Sequence, residues 1–237
     1  MENHPSTDST DPIELALLDD HLHVPSNSRF SDHGRQVKPL NGQASNARPT
    51  VFLDRDGVLV EEKNYLADPS QVQLIPGVFQ ALKMLQDRFY LVVITNQSGI
   101  GRGLFTEETL AAIHSELVDQ LAEQGTSVDA FYYCPHHPEA VVSTYRVACQ
   151  CRKPNPGMLN KAANHWELDL GHSFMVGDRP SDMEASWAAG VPGIQVGNSF
   201  ETSPTCVRTC KGLLEASEII LTYAETLEYL DKSSSGS

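Results

Sequence analysis

From Val51 onward, apolar positions come in short unbroken runs, and amphipathic stretches fill the spaces between them. Val51-Phe-Leu53, Tyr90-Leu-Val-Val-Ile94, Ala130-Phe-Tyr-Tyr133, Ser173-Phe-Met-Val176 and Gly193–Val196 are such runs. Their length and their lack of alternation predict strands covered on both faces. The intervening stretches have helical spacing. Pro76 opens one helix through Leu82 and Leu85, and Thr106 caps another with Leu110, Ile113, Leu117 and Leu121 on one face. Pro156 starts a third and Met183–Ala189 forms a fourth. The apolar run Ile219–Leu221 and a last helix to about Leu230 complete the pattern. Strand and helix alternating at this spacing predict an α/β fold, a Rossmann-like doubly wound parallel sheet.

The ends of the chain follow a different pattern. Residues 1–48 are rich in Ser, Asn, Asp, His and Pro, a composition that predicts a disordered extension. Within it Asp11 and Pro12 suit the start of a transient helix with Ile13, Leu17 and Leu18 on one face. His4, His21, His23 and His33 lie there without a cysteine nearby and read as solvated. Residues 49–231 form the folded domain, and 232–237 read as a flexible tail.

Charge narrows the choice of partners. Seventeen Lys and Arg against 31 Asp and Glu leave a net charge of −14. So acidic a chain argues against non-specific binding to nucleic acid or to a membrane surface. No run has the length of a membrane-spanning helix, and the N-terminus lacks a basic-then-apolar leader, so a cytoplasmic monomer is expected. Five cysteines, three of them within 134–151, suit metal binding in a reducing compartment.

In a parallel sheet ligands bind beyond the carboxyl ends of the strands. Asp54, Thr95, Lys153 and Asp178 all fall at or just after such ends. Asp54 and Asp56 are two residues apart, so on an extended chain they point the same way. Together these residues supply what phosphoryl transfer needs. Asp54 is the nucleophile, and Asp56 protonates the leaving oxygen and later activates water. Mg²⁺ prefers oxygen ligands, here Asp54, the main-chain carbonyl of Asp56, and Asp178. Thr95 offers a hydroxyl and Lys153 a charge to the transferred phosphate. Asn96, Arg102 and Arg152 are candidates for the rest of the substrate, although Arg102 in its Gly-rich segment also reads as a plain polar turn. Only about 38 residues separate Asp56 from Thr95, too few for a cap domain. Loop 58–75 and the cysteine loop are left to cover the substrate.

Cys134-Pro-His136 and Cys149-Gln-Cys151 lie twelve residues apart and match a closed structural zinc site of three thiolates and one imidazole. The competing reading is a disulfide with spare thiols. Spacing alone does not choose between His136 and His137. Arg152 and Lys153 follow the last thiolate directly, so zinc here would be scaffolding for Lys153.

These residues resemble the four motifs of the haloacid dehalogenase superfamily of phosphatases: Asp54-x-Asp56-Gly, strand-terminal Thr95, Lys153, and Gly177-Asp178 with Asp182. More narrowly, residues 50 to about 230 resemble the D-glycero-D-manno-heptose-1,7-bisphosphate 7-phosphatase family. The strings that carry this are Phe-Leu-Asp-Arg-Asp-Gly, Thr-Asn-Gln-Ser-Gly-Ile-Gly-Arg-Gly, Cys-Pro-His-His-Pro, Cys-Arg-Lys-Pro-x-Pro-Gly-Met and Val-Gly-Asp. The resemblance implies Mg²⁺-dependent removal of the 7-phosphate through an aspartyl-phosphate, with His136 the fourth zinc ligand. It does not cover the N-terminal extension, and Arg179 stands where members more often carry Lys. Two rivals differ in substrate. Histidinol-phosphate phosphatases share the Asp-Arg-Asp-Gly and zinc strings but not the Ser98-to-Arg102 pattern, and polynucleotide 3′-phosphatases would want a basic channel. A non-catalytic scaffold is the rival from another class.

Overall fold

The computed structural model describes residues 21–29, 48–197 and 202–234. Its seven strands are β1 (Leu22–His23), β2 (Arg48–Leu53), β3 (Tyr90–Asn96), β4 (Ala130–Cys134), β5 (Leu168–Gly177), β6 (Gly193–Val196) and β7 (Arg208–Cys210). They form one sheet in the order β1-β4-β3-β2-β5-β6-β7, parallel except for the edge strand β1. The chain leaves β2 to build β3 and β4 on one side, then returns to build β5 to β7 on the other. That reversal opens the crevice in which doubly wound sheets bind ligands, and Asp54 is the first residue beyond β2.

Helices α1 (Val78–Leu85), α2 (Ser98–Gly101), α3 (Glu107–Glu123), α4 (Gly157–Trp166), α5 (Pro180–Ala188) and α6 (Leu213–Ser234) complete the fold. Successive strand residues face opposite ways, so each strand feeds two cores. Val51, Leu53, Leu91, Val93 and Val176 pack with α1, α3 and α6. Phe52, Val92, Ile94 and Met175 pack with α4 and α5 on the other face. Between β2 and α1 the described chain holds only a loop with one short helical turn at Pro69–Gln71, so no cap domain is inserted there.

Four expectations change. The run Ile219–Leu221 lies inside α6, whose buried face is Leu213, Ala216, Ser217, Ile220 and Ala224. That spacing has the helical period, which a three-residue run cannot display. Strand β7 went unseen because Arg208 and Thr209 are exposed on a sheet edge and carry no apolar signal. At the C-terminus α6 continues through 232–234, residues expected to belong to the tail.

The fourth change concerns the extension. Residues 21–29 are not disordered and their histidines are not solvated. β1 pairs antiparallel with β4, burying Leu22, His23 and Val24. Farther on, Arg29 donates through Nε to Asp129 Oδ1 at 2.8 Å and through Nη2 to Asp129 Oδ2 at 2.5 Å. Its guanidinium also donates to the carbonyls of Gln86 and Phe89 and lies over the Tyr90 ring. The expected helix at 11–18, His4 and His33 lie outside the described residues. Asp129 is fully buried and also accepts from the Leu91 N–H at 2.7 Å. Asp129→Ala therefore strands a largely buried guanidinium and an amide, and should cost about 3–5 kcal/mol. Urea denaturation measures this, and a loss below about 1 kcal/mol would mean the segment is not held by this pair.

Candidate active site

The end of β2 is tied down before any chemistry begins. The Asp54 N–H donates to the Val176 carbonyl at 2.9 Å, setting Asp54 between the two central strands. Gly57 turns the chain at φ +79, and a Cβ there would stand 2.4 Å from Asp178 Oδ2. Glycine is thus required twice, by the backbone angle and by the second acidic motif pressed against it.

Lys153 sits at the centre of the acids. Its Nζ contacts Asp182 Oδ1 at 2.6 Å and Asp54 Oδ1 at 2.9 Å, and donates to the Ile94 carbonyl at 2.8 Å. Burial opposes its charge, but the Asp182 and Asp54 carboxylates outweigh this and raise its pKa, so Lys153 stays cationic. Asp54 is pushed up to about 8, first by burial and then by Asp182, Asp56 and Asp178 against the opposing pull of Lys153. Asp178 rises to about 6, again through burial first and Asp182 second. Asp182 spends its other oxygen on the Arg179 N–H at 3.0 Å, at the start of α5.

Asp56 is held from two sides. Arg55 Nη2 donates to both its oxygens, at 3.0 and 2.8 Å, and Gln97 Nε2 donates to Oδ2 at 2.9 Å. Gln97 Nε2 also reaches Thr95 Oγ1 at 2.7 Å, linking Asp56 to the Thr95 hydroxyl. The Asn96 amide closes on the Lys153 backbone, donating to its carbonyl at 3.0 Å and accepting from its N–H at 3.1 Å. Asn96 thus positions Lys153. Neither Arg55 nor Gln97 was singled out from sequence, although both lie inside the motif strings.

A cavity of about 510 Å³ opens over these groups. Asp54, Asp56, Thr95, Asn96, Arg102, Arg152 and Lys153 all line it, so every expected phosphate- or substrate-contacting residue meets there. So do His137 and Lys63, which were not expected. Loop residues Glu62 to Leu66 form one wall, and Glu62 reaches across to Arg179 at 2.9 Å. Arg102 Nη2 meets His137 Nε2 at 3.1 Å, while its buried Nε has no hydrogen-bond partner among the described residues.

The acids suit a divalent cation. Oxygens of Asp54, Asp178 and Asp182 all lie within 4.8 Å of one another, and among the described residues buried Asp178 Oδ1 and Asp182 Oδ1 have no hydrogen-bond partner, Asp182 Oδ1 having only its ion pair with Lys153. Asp182 is already engaged by Lys153 and the Arg179 N–H, and the Asp56 carboxylate by Arg55 and Gln97. Asp54 Oδ1 is engaged too, by Lys153 and the Arg55 N–H, so Asp54, Asp178 and the Asp56 carbonyl stay the candidate ligands with Asp182 close beside them. Both raised carboxyls make the folded, cation-free chain hold more protons than the unfolded chain between about pH 4 and pH 8. Their contribution to stability is therefore full below about pH 4 and falls as pH rises through 8. A cation binds only the ionised form and acts in the opposite sense. Mg²⁺ should raise Tm more near pH 8 than near pH 5.5, as read by scanning fluorimetry. Equal shifts would remove Asp54 and Asp178 from the cation site.

Cys134, His136, Cys149 and Cys151 form a second cluster. Cys151 Sγ is 3.2 Å from both other sulfurs and 3.3 Å from His136 Nδ1, and Cys134 is 3.6 Å from Cys149. Thiolates on one zinc at about 2.3 Å stand roughly 3.7 Å apart, so this cage fits the ion, whereas disulfides at about 2 Å do not fit it. The Cys134 S–H pulls Cys151 down to about 5, and the same bond pushes Cys134 up. Burial pushes Cys149 up as well, so Cys151 is the one thiol of the three poised as a thiolate, and a metal would have to displace the protons of the other two. His137 faces Arg102 instead, so the structure separates the two neighbouring histidines. Asn155 Nδ2 donates to the Cys149 carbonyl at 2.9 Å, and the Gly157 N–H to that of Gln150 at 3.0 Å. The cage is thus joined to the start of α4 on either side of Lys153.

A doubly wound sheet with paired acids at its central strand end, a buried lysine and a second acidic turn belongs to the haloacid dehalogenase phosphatases. The HAD-hydrolase-like family model matches residues 150–209. The chain is 43% identical over 149 residues to D-glycero-beta-D-manno-heptose-1,7-bisphosphate 7-phosphatase of Rhodopseudomonas palustris, covering 62% of this chain and 83% of that one. Against the Vibrio cholerae enzyme of the same name it is 42% identical, covering 74% and 90%. The crystal structure of D,D-heptose 1,7-bisphosphate phosphatase from B. bronchiseptica, complexed with magnesium and phosphate, superposes with a TM-score of 0.66 at 35% identity, covering 74% and 99%. The chain belongs to the D-glycero-D-manno-heptose-1,7-bisphosphate 7-phosphatase family.

Proposed function

We propose that this chain hydrolyses the 7-phosphate of D-glycero-D-manno-heptose 1,7-bisphosphate, with the β anomer preferred as the curated relatives' names indicate. The observation that carries the reading is the cavity itself. It sets Asp54 and Lys153 at its base and Arg102, Arg152, His137 and Lys63 around it. A single phosphate needs one such cationic cluster, and a bisphosphate uses two. The unpartnered Nε of Arg102 is a ready donor for the second anion.

The chemistry follows from the positions. A carboxylate oxygen of Asp54 attacks the 7-phosphorus as its bond to the sugar oxygen breaks. Asp56 gives that oxygen its proton, and the heptose leaves as an alcohol. Asp56 then takes a proton from water, which attacks the aspartyl-phosphate, releases phosphate and restores Asp54. Lys153 and the Thr95 hydroxyl hold the phosphoryl oxygens through both steps. Mg²⁺, held by Asp54, Asp178 and the Asp56 carbonyl, would offset the charge of the clustered acids and the phosphate. Zinc in the Cys134–His136–Cys149–Cys151 cage has no part in the chemistry.

Phosphate release with Mg²⁺, run on both heptose 1,7-bisphosphate anomers and on histidinol phosphate, tests the reading. Preference for the β bisphosphate by tenfold or more in kcat/KM is the expected result. Faster turnover of histidinol phosphate would overturn the substrate and keep the mechanism. Silence on all three with Mg²⁺ present would reject the enzyme.

A further inference from the structure

A chain of buried polar groups runs from the N-terminal segment to the general acid. Arg55 is 1% exposed and among the largest fully buried side chains. Nη2 of its guanidinium grips both Asp56 oxygens, and Nη1 lies 3.5 Å from His114 Nε2. His114, on α3, is stacked on Phe131 with 4.2 Å between ring centroids. Its Nδ1 lies 2.8 Å from Nδ1 of His23, on β1. Both imidazoles are almost completely buried.

One tautomer arrangement satisfies every contact along this chain. A guanidinium only donates, so His114 Nε2 must accept and carry no proton. The His114 proton then sits on Nδ1 and points at His23, whose Nδ1 must be bare. A proton on both Nδ1 atoms would place two N–H groups against each other at 2.8 Å. Burial lowers both histidines, His23 to about 4, and Arg55 lowers His114 further, in keeping with two neutral rings.

We propose that β1 is a positioning element for the phosphatase reaction: His23 fixes the His114 tautomer, His114 fixes Arg55, and Arg55 aims the Asp56 carboxyl at the leaving oxygen. His23, His114 and Arg55 are positioning residues. This rests on Asp56 being the general acid, and not on which sugar carries the phosphate. Without the His23 acceptor, the His114 Nδ1–H is buried and unpaired, so nothing on the His23 side favours that tautomer over the one with its proton on Nε2. With its proton there, Nε2 faces a cation and pushes Arg55 from its place.

The test uses the full chain and two substrates that differ in their need for an acid. The heptose oxygen leaves phosphorus as an alkoxide unless protonated, whereas p-nitrophenolate leaves unaided. His23→Phe keeps a buried ring of similar size and removes the acceptor. We expect kcat/KM to fall about tenfold on heptose bisphosphate and to change less than twofold on p-nitrophenyl phosphate. His23→Asn places a carbonyl oxygen where Nδ1 stood and should restore the alkyl rate. Equal losses on both substrates, or none, would reduce β1 to a structural strand and overturn the proposal. Nitrogen NMR of ¹⁵N-histidine-labelled wild type needs no variant to fold. It should show His114 protonated on Nδ1 alone, and the opposite tautomer would also overturn the proposal. Should wild type ignore the heptose, any primary alkyl phosphate that it hydrolyses serves instead. Failure of the substrate reading thus shows in the wild type, and failure of the relay only in the variant.

Discussion

Asp54→Asn should lower turnover by roughly 10⁴-fold or more while leaving a folded protein with its cysteine cage intact. The substitution keeps shape and removes the one oxygen anion that can form the covalent bond. No compensating nucleophile is at hand, because Asp56 is clasped by Arg55 and Gln97 and Asp182 by Lys153 and the Arg179 N–H. Stability should not suffer. Lys153 keeps Asp182 and the Ile94 carbonyl, and the cluster loses one of the carboxylates that repel each other. The variant should therefore lose less stability than wild type as pH rises towards 8 without Mg²⁺, since the carboxyl pushed up to about 8 is gone. Phosphate release and circular dichroism on the same preparation decide the matter. Activity within about tenfold of wild type would mean that another group makes the bond to phosphorus.

The parts of this site legible in the sequence are those placed by strand ends. Asp54, Thr95 and Asp178 follow apolar runs directly, and the topology must then gather them at one edge of the sheet. Lys153 was expected at or just after a strand end as well, but β4 ends at Cys134 and Lys153 lies far along the loop that follows it. It was readable because the motif string carries it, and the structure shows the physical reason, a loop fastened to the cysteine cage and to Asn96. What could not be read is pairing across long separations. His23 lies among Ser, Asn and Pro residues and looks solvated, yet its partner His114 is 91 positions away. The same holds for Arg29 and Asp129, one hundred positions apart. No local pattern marks such pairs, since each residue alone is an ordinary polar side chain and only the fold supplies its neighbour. The choice between His136 and His137 had the same character. One residue of separation on a turning chain sends one imidazole to the thiols and the other to Arg102.

The cysteine cage gives the second large effect, and its signature should differ from that of the nucleophile. Cys149→Ala removes a sulfur 3.2 Å from Cys151 and 3.6 Å from Cys134. Three donors remain, which is the set of an open zinc site and binds far more weakly than a closed one. The loop between Pro135 and Pro156 has little apolar content of its own, with Ala140 its only buried hydrophobic residue. Without the metal it has almost nothing to offset the entropy of holding one shape. A loss of several kcal/mol, or a Tm lower by about 10 °C, is expected, with metal content falling from about one zinc per chain to near zero. Activity should fall with it, because the Asn155 and Gly157 bonds that hold the turn around Lys153 end on Cys149 and Gln150. Asp54→Asn separates activity from stability, whereas Cys149→Ala should move both together. A Cys149→Ala protein with wild-type Tm and unchanged metal content would show that the thiols hold no structural ion. Lys153 would then owe its position to Asn96, Asp54 and Asp182 alone.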